Sequence, residues 1–452
     1  MKASILVPSA LALVAGLGFT FSNTSEGYAL LSHSLSTAQR DFRVYNTFIN
    51  SGANNNVAPD TQFPGAQGAV MAIWKGCIEW GSRLHGNGNG DSTQNGDLGS
   101  GGANFDATFQ GEANYVGTLG DNICSTVSGT PNGVLAYTEI NGSGSWRMRF
   151  YDSWNWADGP GSISGSQMDM QSVACHEYGH ALGMDHSANA QATMAPAIGN
   201  GQTSTRSINF DDIAGVQAKY GVAGANKPIV SGITSAVLGQ ITITGSNFGA
   251  NNEVWFTRQN FVGTGTPLTV GGVASTNGGT QIVVSVPNDA QSGDVLVRNT
   301  SLSGGVSLSN AWPFDISSIQ CPGQGTVCTG FPNSTGATGE LYIFGSQNVA
   351  ANDTVLTAAA VPANQFGLFV YGQGSGLLPV SNGIFCLNGS AFYRLGIVQT
   401  TIFQTASYNL DLNNLPPGGQ ISAGQTWNFQ FWHRENGGVS NFTDAVSYTF
   451  CN

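Results

Sequence analysis

Three histidines, a glutamate and a glycine stand at fixed spacing in His176-Glu-Tyr-Gly-His180-Ala-Leu-Gly183-Met-Asp-His186. Residues four apart on a helix project from one face, so His176 and His180 can offer two imidazoles to one ion with Glu177 beside them. Gly183 can take a backbone angle with φ > 0, ending the helix and turning the chain so that His186 approaches as a third ligand. Three protein ligands leave the fourth tetrahedral position open for water, the arrangement of a catalytic rather than a structural zinc. A carboxylate beside metal-bound water is placed to act as its base, and that points to metal-assisted hydrolysis.

These side chains need a frame, and the flanking pattern supplies one. Asp169 can cap a helix over 170–182 that stops at Gly183. Upstream, 41–48 alternates as a strand. Residues 66–84 carry Val70, Met71, Ile73, Trp74, Cys77, Ile78 and Trp80 at helical spacing. The Gly- and Asn-rich stretch 86–102 is a loop by composition, 133–140 and 146–151 alternate as strands, and 211–220 is a short helix stopped by Gly221. Strands and helices in this order predict an α+β domain.

The spaced histidines with Gly183 resemble the metzincin family of zinc peptidases. Ala192-Thr-Met194-Ala-Pro196 resembles the Met-turn beneath the zinc of that family, which gives Met194 a supporting place. Ser187 and Asp211-Asp212-Ile-Ala-Gly-Val-Gln-Ala-Lys-Tyr-Gly221 resemble the matrixin branch, in which the aspartates tie the final helix to the Met-turn. The likeness covers 38–222 and implies a zinc endopeptidase domain acting on protein or peptide substrates, with Glu177 as catalytic base. Every motif element lies within that stretch, so 38–222 is expected to cleave a short peptide alone. Gly133 followed by Val134, Leu135, Ala136 and Tyr137 resembles the matrixin edge strand that pairs with substrate.

Several positions depart from the branch. Tyr137 stands where matrixins have a structural-zinc histidine, and no histidine occurs between 86 and 175. His33, His85 and His433 are scattered, so one catalytic Zn2+ is expected rather than two. Ile198 replaces the tyrosine usual in the pocket after the scissile bond, and no Pro-Arg-Cys-Gly latency element is present. Asp152, Asp158-Gly159 and Asp169 lie where matrixins often bind Ca2+. Isolated Asp-Gly pairs also form plain turns, so both readings stay open.

From Pro228 the chain changes to short β-rich runs separated by Gly and Asn turns. Lys227-Pro228 and Ile241-Thr-Ile-Thr-Gly-Ser-Asn-Phe-Gly249 resemble an immunoglobulin-like TIG (IPT) domain, assigned to 227–316. Residues 320–452 are again β-like, with Trp427, Phe429 and Phe431 alternating against polar neighbours, and resemble cysteine-bounded C-terminal modules of secreted bacterial proteins. The expected fold class is multidomain: an α+β metzincin-like catalytic domain followed by two all-β immunoglobulin-like sandwich modules.

Composition narrows the partners. Only 9% of the 452 residues are Asp, Glu, Lys or Arg and the net charge is -12, so no basic patch favours nucleic acid or anionic membranes. Met1 and Lys2 precede an uncharged apolar run over 3–21, read as a secretory signal over 1–22, with an uncleaved anchor as the other reading. The mature protein is then expected to be extracellular and without a membrane span, where disulfides persist. Keeping cysteine pairs within domains gives Cys77 with Cys124, Cys321 with Cys328 and Cys386 with Cys451, leaving Cys175 as a buried apolar residue; spacing alone does not fix connectivity. The rival class is an extracellular binding or adhesive protein, in which the β modules hold an unknown ligand and the metal domain is vestigial.

Overall fold

The computed structural model describes all residues except 1, 7–26, 91, 95, 130–132, 143, 236–238, 259–266, 320–322, 390 and 452, and for 2–6 and 318 the backbone alone. Most of the stretch read as an export signal therefore lies outside the described residues. Among them, no helix is long and apolar enough to cross a membrane. The chain forms two compact units, one of 1–234 with 241–318 and the other of 235–240 with 319–452.

The first unit is built on a six-stranded sheet of β1 (Lys2–Leu6), β2 (Asp41–Tyr45), β3 (Thr108–Ala113), β4 (Ile123–Val127), β5 (Val134–Ile140) and β6 (Trp146–Tyr151). Their order is β1-β5-β6-β4-β2-β3. Strands β3, β2, β4 and β6 pair in parallel, whereas β5 runs antiparallel to β6 and β1 antiparallel to β5. The helices are α1 (Gly68–Ile78), α2 (Met170–Leu182) and α3 (Phe210–Tyr220). Gly76 lets α1 and α2 touch, since a Cβ there would lie 2.7 Å from Gln171 O and 2.8 Å from Cys175 N.

Helix α2 has the expected bounds, because its signals are local. The Asp169 carboxylate accepts from Ser172 N–H at 2.9 Å, and Gly183 closes the helix at φ 99°. Helix α1 is shorter than the predicted 66–84. At Glu79 the chain turns away, and its buried carboxylate accepts from Ser100 Oγ at 2.7 Å, Gly99 N–H at 3.1 Å and Ile208 N–H at 3.3 Å. Trp80 and the residues after it thus serve loops rather than the helix.

The β-rich stretch after Pro228 supplies two four-stranded sheets. One holds β7 (Ile229–Thr234), β8 (Gln240–Ser246), β11 (Ser275–Thr276) and β12 (Gln281–Ser285); the other holds β9 (Asn252–Arg258), β10 (Leu268–Val273), β13 (Ala290–Asn299) and β14 (Trp312–Phe314). These strands share a core with the upstream part: Trp255, Leu296, Leu308 and Ala311 belong to the same buried cluster as Trp74 and Phe109. The buried carboxylate of Asp294 accepts from Trp74 Nε1 at 3.1 Å and lies 2.8 Å from His85 Nε2. Lys227 Nζ pairs with Asp106 Oδ2 at 2.8 Å, both buried. A chain cut after residue 222 would leave Trp74, His85 and Asp106 without these partners, contrary to the self-sufficiency expected of 38–222.

The second unit has a five-stranded antiparallel sheet, β15-β24-β23-β18-β21, and a three-stranded one, β16-β17-β22. In chain order these are β15 (Gly325–Cys328), β16 (Glu340–Phe344), β17 (Val355–Ala359), β18 (Phe366–Gly372), β21 (Phe392–Gln399), β22 (Ala406–Asn409), β23 (Thr426–Arg434) and β24 (Ser440–Thr449). A hairpin of β19 (Leu378–Val380) and β20 (Gly383–Phe385) completes it. Leu341, Leu356, Phe369, Tyr371, Trp427 and Phe429 form the core between the two sheets. The expected cysteine pairing is corrected here: Cys328 bonds Cys386, whose Cα atoms are 6.2 Å apart, so neither the Cys321–Cys328 nor the Cys386–Cys451 pair forms. Cys321 lies outside the described residues. Cys77, Cys124 and Cys175 are buried free thiols, so the Cys77–Cys124 bond is absent as well.

The shared core makes a measurable demand. Asp294→Ala should destabilise the protein by about 2–4 kcal/mol, because two buried donors lose their acceptor. Denaturant unfolding checks this, and a loss under about 0.5 kcal/mol, the range of neutral surface changes, would show that the contact is dispensable.

Candidate metal centre

The three motif histidines converge. One ligating atom from each of His176, His180 and His186 lies within 4.8 Å of the others, the one such group of three or more His, Cys, Asp or Glu side chains among the described residues. Helix α2 carries the first two with their Nε2 atoms 3.1 Å apart, as a four-residue step requires. His186 arrives after the turn at Gly183, where a Cβ would lie 2.4 Å from His33 O and where φ is positive.

The outer ring nitrogens fix which atoms face the centre. His176 Nδ1 lies 2.7 Å from Thr193 O and His180 Nδ1 lies 3.0 Å from Met184 O. A carbonyl oxygen only accepts, so each Nδ1 carries the proton and each Nε2 presents its lone pair inward. Burial first, then the neighbouring His186, lowers His176 to about 3, and burial likewise holds His180 well below its ordinary value. Both rings are therefore neutral, the form that ligates metal.

Glu177 is fully buried beside the histidines. Thr138 Oγ1 on β5 lies 2.8 Å from Glu177 Oε2 and 2.7 Å from Glu177 O, so its single O–H is shared between the carboxylate and the backbone carbonyl. Sequence reasoning missed Thr138. A strand threonine carries no signal for a partner thirty-nine residues away. Val134, Leu135, Ala136 and Tyr137 precede it on β5. The outer edge of that strand takes β1 as an antiparallel neighbour, with Ala136 opposite Ile5 and Tyr137 opposite Ser4.

Met194 lies directly under α2. A Cβ on Gly179 would sit 2.3 Å from Met194 Sδ and 2.8 Å from Trp80 Cζ2, so only glycine admits both. Trp80 is itself fixed by donating Nε1–H to Cys175 O at 2.9 Å. The turn carrying Met194 is tied down by Asp212, which accepts from Thr193 N–H at 2.8 Å, Met194 N–H at 3.1 Å and Asn209 N–H at 3.0 Å. Its neighbour Asp211 accepts from Ser187 Oγ at 2.6 Å and Gly27 N–H at 2.8 Å. Asp169 forms a buried two-point pair with Arg206, binding the start of α2 to the segment after the Met-turn.

The acidic residues weighed for calcium have protein partners. Asp152 accepts from Ser128 Oγ at 3.0 Å, Asp158 from Asn56 N–H at 2.9 Å, and Asp169 is committed to Arg206. Ile198 is buried. Cys175 is buried with its thiol pushed up by desolvation, which keeps it protonated.

Comparison with known proteins converges on the same segment. The Matrixin peptidase family matches residues 121–221. Human neutrophil collagenase is 36% identical over 124 residues, which is 26% of this chain and 25% of that protein. Human matrilysin is 36% identical over 92 residues, 20% of this chain and 33% of that protein. Arabidopsis thaliana metalloendoproteinase 4-MMP is 36% identical over 89 residues, 20% of this chain and 25% of that protein. The chain thus spans a third or less of the length of these relatives. Residues 121–221 form a matrixin-like metallopeptidase segment.

The packing under α2 can be tested without any substrate. Gly179→Ala should cost about 1–3 kcal/mol, because the added methyl forces Met194 or Trp80 aside. It should also weaken retention of zinc during dialysis. An unchanged unfolding midpoint with full metal retention would mean that the Met194 contact does not support the site.

Proposed function

We propose that this chain is a secreted zinc-dependent endopeptidase that hydrolyses peptide bonds in proteins. The observation that carries the reading is the convergence of His176, His180 and His186, the first two buried and neutral and the third half-buried, with Glu177 alongside. Neutral inward-facing imidazoles suit Zn2+, and a three-histidine set leaves a position open, so these residues would hold one catalytic ion. When bound, zinc lowers the pKa of its water and polarises the scissile carbonyl.

The chain's own groups supply the rest. Glu177 takes a proton from the attacking water and delivers it to the leaving amine. Thr138 keeps Oε2 of Glu177 aimed, and Gly183 with the Met-turn keeps the ligands in place. An extended substrate pairs with the outer edge of β5 along Val134–Tyr137 by strand addition. The backbone pairing of β1 on that edge supports this, since it has the same hydrogen-bonding pattern. The peptidase domain is taken as 38–222 and the immunoglobulin-like TIG domain as 227–316, its strands completing the peptidase core. Residues 320–452 form the cysteine-bounded module. The reading of a vestigial domain in a binding protein is less well supported: a relic that merely held metal would have no need of Glu177 or of a threonine orienting it.

Glu177→Gln should retain about one zinc per chain while casein hydrolysis falls by roughly 10²–10⁴-fold. Activity near that of the parent would refute the assigned base. Thr138→Val should keep zinc and KM but lower kcat about tenfold, with Thr138→Ser restoring it, as expected for loss of one hydrogen bond to a charged group. If Ser does not rescue, Thr138 acts through packing and not by orienting Glu177.

A further inference from the structure

The second unit contains a cleft that the peptidase reading leaves unused. Its five-stranded sheet presents Leu368 and Val370 of β18 with Trp432 of β23 on one face, and the β19–β20 hairpin arches over part of that face. Between them lies a cavity of about 490 Å³, within the range of roughly 300–1,000 Å³ common for small-molecule sites. Val380 and Phe385 form the hairpin side of the cavity, and the exposed ring of Phe392 also lines it.

The hairpin is held in place without help from a ligand. Buried Gln430 donates Nε2–H to Ile384 O at 2.9 Å and accepts from Cys386 N–H at 2.9 Å. The Cys328–Cys386 disulfide joins the hairpin's exit to β15 at the sheet edge. Asn382 N–H donates to Ser440 O at 3.1 Å at the hairpin's turn. The cleft is therefore preformed, which lowers the ordering cost of binding.

This lining, apolar apart from Asn388, contains one charged group. Arg394 stands opposite Val370 in the sheet and lines the cavity. It makes no ion pair among the described residues, and its guanidinium carbon lies 5.8 Å from the centre of the Phe392 ring. The unit has two cationic side chains, Arg394 and Arg434, against Glu340, Asp353, Asp411, Glu435 and Asp444. A cation left at the mouth of an apolar cleft complements a ligand with an apolar body and an anionic head.

We propose that this cleft binds a medium-chain aliphatic carboxylate, with the chain between the hairpin and Val370 and Trp432 and the carboxylate on Arg394. Isothermal titration calorimetry of the full-length protein with octanoate, and with octan-1-ol as the uncharged control, tests the assignment. Octanoate should bind saturably at one site. Arg394→Gln should weaken octanoate about fivefold and leave octan-1-ol unchanged, as for a partly exposed charge pair. Val380→Trp, which fills the cleft from the exposed side, should abolish both. Unchanged thermal unfolding midpoints would show that both variants remain folded. Absence of saturable octanoate binding at millimolar concentration would overturn the proposal. So would binding unaffected by either substitution, which places octanoate elsewhere, the metal centre included. Equal weakening of octanoate and octan-1-ol by Arg394→Gln would overturn the charged contact.

Discussion

Bringing three imidazoles together, two of them fully buried, constrains almost everything else in the first unit. Rings whose ligating atoms lie within 4.8 Å of one another cannot all carry charge away from water. The two buried rings, His176 and His180, must stay neutral, present Nε2 inward and hold that orientation before any ion arrives. The carbonyls of Thr193 and Met184 do this by accepting from the outer nitrogens of His176 and His180. Met184 lies in a two-residue strand paired with Ala29–Leu30, whereas Thr193 sits on a turn with little regular structure of its own, so that turn needs an anchor.

Asp212 is the principal anchor. Three backbone N–H groups converge on its carboxylate, two of them from the turn that offers its carbonyl to His176. Desolvation nonetheless raises its pKa to about 6, with the converging N–H groups opposing the rise. Linkage gives the sign: an acid whose pKa is raised on folding favours the native state most below its unfolded value near 4 and loses that advantage as pH rises through about 6. Holding the metal support in place thus has a stability cost at neutral pH. Glu79, raised to about 7 by the same cause, carries a similar cost where it organises the loop at 99–100 and Ile208.

Features governed by neighbours along the chain were legible in the sequence. The bounds of α2, the Asp169 cap, the Gly183 stop and the meeting of the three histidines all follow from helical spacing and backbone freedom within eighteen residues. The tie from Asp212 to the Met-turn came from family likeness, which supplies contacts that spacing does not; Asp211, expected to share that tie, accepts from Ser187 and Gly27 instead. Features depending on distant partners were not legible. Apolar periodicity carried the predicted first helix past Ile78, although Glu79 turns inward to meet donors about twenty and 129 residues further on. Thr138 finds Glu177 across thirty-nine residues, and Asp294 finds Trp74 across 220. The cysteines failed for the same reason: keeping pairs within domains assigned Cys321 to Cys328, whereas the fold brings Cys386 beside Cys328 from 58 residues away in that same module.

The central claim is that the histidine cluster, once loaded with zinc, makes this chain a peptidase. The most direct measurement is casein hydrolysis by the purified full-length protein, assayed as prepared, after treatment with 1,10-phenanthroline, and after zinc is restored. The account predicts cleavage at internal peptide bonds that stops with the chelator and returns with zinc. Hydrolysis indifferent to the chelator, or none from folded protein shown to contain zinc, would contradict it.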